Sequence, residues 1–131
     1  MAIRIVQLGT PRGPGEGLRI GAVRYPPRGV PSGQYSKLNY YDAWLPELSP
    51  SRSLLNRFRQ KGDTPGSWKA FTKSFERELA GPQPRRLLKL LAGLSHGSDF
   101  SIGCYCQAER RCHRAVIRKV LRGHGAELDE G

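Results

Sequence analysis

Apolar residues recur at every second position in two short runs near the amino end of the chain, Ile3 to Leu8 and Leu18 to Arg24, a period that predicts two strands. The segment Gly9 to Gly17 between them is rich in Gly and Pro and reads as a flexible connection, so the two strands are expected to pair. In Tyr25-Pro26-Pro27-Arg28-Gly29-Val30-Pro31-Ser32-Gly33 the prolines and glycines forbid regular structure and describe an ordered loop, with Arg24 and Arg28 at its mouth. Beyond Trp44 the period becomes helical. Ser49 or Ser51 caps a helix carrying Leu54, Leu55 and Phe58, and a second helix runs from about Ser67 with Trp68, Phe71, Phe75 and Leu79 at spacings of three and four. A third follows Pro84 with Leu87, Leu88, Leu90, Leu91 and Leu94. Alternation then returns at Phe100, Ile102, Cys104 and Cys106, and a last helix from Cys112 to about Arg122 places Val116, Ile117, Val120 and Leu121 beneath the sheet. Internal repeats and low-complexity runs are absent from the sequence.

A chain of 131 residues is one domain's worth, and a single domain over 1–131 is expected. The amino end has no apolar stretch long enough for a signal peptide, and no run is long enough to span a bilayer, which leads to the expectation of a soluble cytoplasmic protein. Charge narrows the partners. Lys and Arg number 22 against 11 Asp and Glu, a net charge of +11, which favours phosphate-bearing ligands or nucleic acid.

All three cysteines fall within the nine residues from Cys104 to Cys112, beside His113 and among Arg110, Arg111 and Arg114. An odd number of cysteines this close together, without a secretory signal, argues for free thiols, metal ligation or redox chemistry over a disulfide framework. The cluster lies where a strand gives way to a helix. Such a junction presents unpaired backbone N–H groups and the positive end of a helix dipole, both of which favour anions and thiolates.

A wider pattern goes with the cluster. It comprises the strand ending at Arg24 with Pro27-Arg28-Gly29 behind it, the run Ala43-Trp44-Leu45-Pro46-Glu47-Leu48-Ser49-Pro50-Ser51, Trp68-Lys69-Ala70-Phe71 with Glu78-Leu79, and the closing Cys-x-Cys followed by Cys112-His113-Arg114. In this ordered set the chain resembles the domain of unknown function numbered 488. The resemblance implies a small α/β domain: a short, mostly parallel sheet with flanking helices in a Rossmann-like three-layer arrangement, carrying no settled activity. It also sets the second strand beside the last.

Four uses of the cluster follow. In the first, Arg110 and Arg114 at the start of the last helix, with Arg24 and Arg28 opposite, bind a small anionic, phosphate-bearing ligand through forked guanidinium donors. The alternative is a solvated face, since Arg111, Arg114, Arg118 and Arg122 share one side of the helix. In the second, Cys104 or Cys112 is a nucleophile with His113 beside it, as in phosphatases and sulfurtransferases. Cys104 and Arg110 have the Cys-x5-Arg spacing of those enzymes, but the five residues between lack the glycine such loops use. In the third, Cys104, Cys106, Cys112 and His113 ligate zinc. The sulfurs must then stand about 3.8 Å apart, whereas alternate residues of an extended strand are about 6.6 Å apart, so the strand has to turn at Cys104 or Cys106. Against this, His113 can simply hydrogen-bond inside the protein. In the fourth, the positive balance and Tyr25, Tyr35, Tyr40 and Tyr41 serve nucleic-acid binding, although no helix-turn-helix, zinc-finger or RNA-recognition signature is present. Trp44, Ser49 and Ser51 are second-rank site residues through the resemblance, with core packing for Trp44 and helix capping for Ser51 as the simpler readings.

Overall fold

A computed structural model of the chain describes residues 1–106 and 112–129. Five strands, β1 (Ile3–Gln7), β2 (Leu18–Gly21), β3 (Ala43–Trp44), β4 (Phe100–Cys104) and β5 (Leu128–Asp129), form one sheet in the order β3-β2-β4-β1-β5, and every pairing is parallel. The expected pairing of the first two strands is therefore corrected. β4 lies between them, with Ile102 opposite Ile5 on one side and Ile20 on the other. The reason is burial: all five residues of β4 are buried, as the centre of a parallel sheet requires, whereas β1 and β2 each carry more accessible positions.

Four helices follow the hydrophobic pattern closely: α1 (Arg52–Lys61), α2 (Pro65–Leu79), α3 (Pro82–Leu94) and α4 (His113–Gly123). α2 begins two residues earlier than Ser67, because the Thr64 hydroxyl accepts from Ser67 N–H while the Ser67 hydroxyl accepts from Thr64 N–H, and Pro65 stands at the first helical position. α3 likewise starts at Pro82, not after Pro84, since a proline in the first turn removes only N–H groups that have no helical partner. Ser51, not Ser49, caps α1. Its hydroxyl accepts from Leu54 N–H and donates to Glu78 of α2, 2.5 Å away.

Ile3, Ile20, Ala22, Phe100 and Ile102 point to one face of the sheet. They form a single core there with Leu48, Leu54, Phe71, Phe75, Leu79, Leu88, Leu91, Val116, Ile117 and Leu121 from the helices and their connections. A fully buried Leu, Ile or Phe contributes about 1.5–3 kcal/mol, so this face carries most of the folding free energy. The opposite face is covered by the connections after β1 and β2. Arg19 of β2, only 1% exposed, donates from Nη2 to both carboxylate oxygens of Glu16 (2.9 and 3.0 Å) and from Nη1 to the carbonyls of Thr10 and Asn39. Arg12 grips Asp42 at 2.8 Å through both oxygens, and Ser36 and the Arg19 N–H bond the same carboxylate. Tyr41 lies flat on Gly21, where any side chain would meet its ring. The three layers are thus helices, sheet and polar-pinned loops.

The connectivity fixes where chemistry can sit. From the carboxyl end of β2 the chain passes to β3 on one side, and from that of β4 it crosses β1 to reach β5 on the other. The crevice between β2 and β4 is a topological switch point, the usual ligand position in open parallel sheets.

Candidate functional site

β4 ends at Cys104 and the chain bends at Tyr105, so the alternation read through Cys106 stops two residues short. This bend meets the condition for joint ligation. The sulfurs of Cys104, Cys106 and Cys112 all lie within 4.8 Å of one another, and those of Cys104 and Cys112 are 2.7 Å apart. Cys112 is the residue before the first turn of α4, placed so that its sulfur accompanies the helix N-terminus. Cys104 and Cys112 are buried, at 1% and 2% exposure, among Leu8, Val23 and Tyr41, while Cys106 is exposed. Solvent therefore meets the cluster at one sulfur only.

The three thiols share their protons unequally. Hydrogen bonds from Cys104 and then Cys106 pull the Cys112 thiol far below its ordinary value against the cost of burial, and His113 adds to the effect. The hydrogen bonds Cys104 makes to Cys106 and Cys112, together with burial, push its own thiol up. Cys106 is pulled down by its bond with Cys104 but raised overall by its bond to Cys112 and by burial, with the Arg114 charge opposing. One negative charge on Cys112, at the positive end of α4, is the arrangement these interactions favour.

His113 stands over the switch point. Its Nε2 is 2.8 Å from the carbonyl of Ala22, just past the end of β2; a carbonyl only accepts, so Nε2 carries hydrogen, and Nδ1 lies 3.8 Å from Cys112 Sγ. Its ring also meets Phe75 edge to face. His113 thus serves inside the protein, its Nε2 taken by the Ala22 carbonyl, while the ligand atoms that lie within 4.8 Å of one another are the three sulfurs. Arg114, an anion-binding candidate whose alternative is a solvated face, is 4% exposed, its Nη2 donating to the Cys106 carbonyl at 2.6 Å and its Nε buried without a partner among the described residues.

This arrangement, a thiol cluster at the switch point of a short parallel sheet, coincides with a sequence-level match. The profile of the active DUF488-N3 subclade matches residues 3–125. The chain belongs to this family. No curated protein and no solved structure matches it.

Within this DUF488 domain the remaining site expectations fall into different places. β2 ends at Gly21, short of the expected Arg24, whose Nε and Nη2 donate to the carbonyls of Pro50 and Ser49 at 3.1 and 2.8 Å and so tie the segment after β2 to the segment before α1. Ser49 is buried in that segment and Ser51 is a helix cap. Trp44 is 41% exposed, its indole N–H donating to Val23 O at 2.7 Å, so it is neither core nor free. Arg28 is exposed. It borders a groove of about 520 Å³ lined also by Leu8, Gly9, Tyr25, Pro26, Pro27, Tyr40 and Tyr105. Arg110 and Arg111 lie outside the described residues, as does the loop reading that joins Cys104 to Arg110. Tyr105 is a residue that sequence reasoning passed over, although its place between two alternating cysteines directs it away from them. None of the helices among the described residues is long and apolar enough to cross a membrane.

Proposed function

We propose that Cys104, Cys106 and Cys112 hold one zinc ion, with an open fourth position on the solvent side at Cys106 where a small anionic ligand binds. The convergence of all three sulfurs within 4.8 Å carries this reading, because a nucleophile needs one cysteine and a tetrahedral thiolate site needs neighbours about 3.8 Å apart, a separation that the Cys104 and Cys112 sulfurs, at 2.7 Å, would reach by opening about 1 Å around the metal. Three thiolates on a dication leave a net charge of −1 in a largely buried place. The α4 N-terminus and the buried Arg114 supply the compensating positive charge, which gives the otherwise costly burial of Arg114 a purpose. Three protein ligands with an open position is the pattern of catalytic zinc, where the metal polarises a bound oxygen. The anion expected at Arg24, Arg28, Arg110 and Arg114 would then meet the metal first, since Arg24 Nε and Nη2 and Arg114 Nη2 go to carbonyls.

Metal analysis by mass spectrometry, on untagged protein purified under reducing conditions without a metal column, tests this. About one equivalent of zinc, lost in Cys106→Ser, is the expected result. Protein without metal that also fails to take up added zinc overturns it. A second reading, a cysteine nucleophile, is favoured by the lowered Cys112 thiol beside an exposed Cys106. In that case iodoacetamide labels the wild type at neutral pH, and His113→Phe slows the labelling.

A further inference from the structure

The groove beside the cluster has a lining that a metal site alone does not explain. Three tyrosine rings, two prolines and one guanidinium surround about 520 Å³, a volume in the range of small-molecule pockets. The parts are held in place. The Tyr105 hydroxyl donates to Tyr25 O at 2.8 Å, joining the chain after β4 to the loop after β2. Tyr40 and Tyr105 meet nearly edge to face at 6.2 Å, and Arg52 donates to the Tyr25 hydroxyl at 2.8 Å while its guanidinium lies 5.6 Å above the Tyr25 ring. Gly9, at φ +90°, brings bare backbone against Tyr40, where a Cβ would stand 3.2 Å from the ring. Any side chain there would strain the turn and crowd the groove.

The geometry points to a nucleotide unit as the occupant: a planar heteroaromatic ring against Tyr25, Tyr40 and Tyr105, with its phosphate on Arg28. Exposed aromatic faces that need no particular hydrogen-bond pattern stack bases, and a forked guanidinium receives phosphate oxygens. The net charge of +11 acts in the same direction at longer range. This goes beyond the proposed function, since the phosphate is held by Arg28 in the groove and not at the metal. It does not require the metal, because no cysteine lines the groove among the described residues. The nucleotide comes either free or within a single strand.

Titration calorimetry with adenosine monophosphate, adenosine, ribose 5-phosphate and a tetranucleotide tests it, on protein as purified and again after chelation. Adenosine monophosphate binds in both preparations. Tyr25→Ala weakens it and adenosine alike by about fivefold to a hundredfold, whereas Arg28→Gln weakens the monophosphate and leaves adenosine unchanged. Both residues are exposed, so neither variant threatens the fold. A tetranucleotide that binds more tightly, with a steep salt dependence, identifies a strand as the source, and one that binds no more tightly identifies the free nucleotide. Ribose 5-phosphate binding as well as the monophosphate, indifference to Tyr25→Ala, or no heat up to millimolar ligand overturns the proposal. Binding that survives in protein without zinc separates this inference from the metal reading.

Discussion

Substituting Glu16 by Gln should remove a large part of the stability of this domain. The carboxylate faces Arg19 across two bonds of 2.9 and 3.0 Å, with side-chain exposures of 3% and 1%. Arg19 cannot shed its proton, so Glu16→Gln leaves a buried cation whose only described partners are the carbonyls of Thr10 and Asn39. Breaking a buried pair on one side costs about 3–5 kcal/mol, out of roughly 5–15 kcal/mol for a domain of this kind. A fall of about 10–20 °C in Tm follows. Arg19→Met should cost at least as much, because it strands the Glu16 carboxylate and leaves two carbonyls without their donor, at about 1–3 kcal/mol for each group that water does not reach. Urea unfolding of both single variants and of the double variant Glu16→Leu/Arg19→Met measures the terms. The double variant should recover part of the loss, since an apolar pair replaces two charges. A Glu16→Gln variant within about 1 kcal/mol of wild type would refute the claim that this pair pins the loop layer.

Two further outcomes concern single residues. Burial raises the Asp42 carboxyl, but hydrogen bonds from Arg12, Ser36 and the Arg19 N–H outweigh it and hold the value at about 2 against an ordinary 3.8. Because the folded value is the lower one, Asp42 contributes on the order of 1–2 kcal/mol above pH 4 that disappears as the pH falls from about 4 through 2; Asp42→Asn should flatten that limb of the urea midpoint against pH. Ser51→Ala removes the α1 cap and the bond to Glu78, so it should lower stability by about 1–2 kcal/mol, as calorimetry would show.

Amphipathic periods made the helices legible: Phe71, Phe75 and Leu79, or Val116, Ile117 and Leu121, announce their buried faces without reference to anything distant. Their starts were less so, because Pro65 and Pro82 reward the first turn through missing N–H groups, a local effect that a hydrophobic pattern does not carry. Strand order was not legible from local signals. That β4 divides β1 from β2 depends on which strand buries both faces, and the pairing of Ile3 with Phe100 joins residues far apart in the chain. At the site, the gathering of three cysteines was plain from spacing. The bend at Tyr105 that brings their sulfurs together, the burial of Arg114 and the groove formed by residues from four separate segments are products of tertiary packing.

The central position of β4 has a consequence for how the molecule is made. Without residues 100–104 the sheet falls into two pairs, β1–β5 and β2–β3, with no contact along a ladder between them. The segment that closes this gap is the one that ends in Cys104, so sheet completion and the approach of the cysteines are one event. The cysteines are thus brought together through long-range pairing, a feature that slows folding.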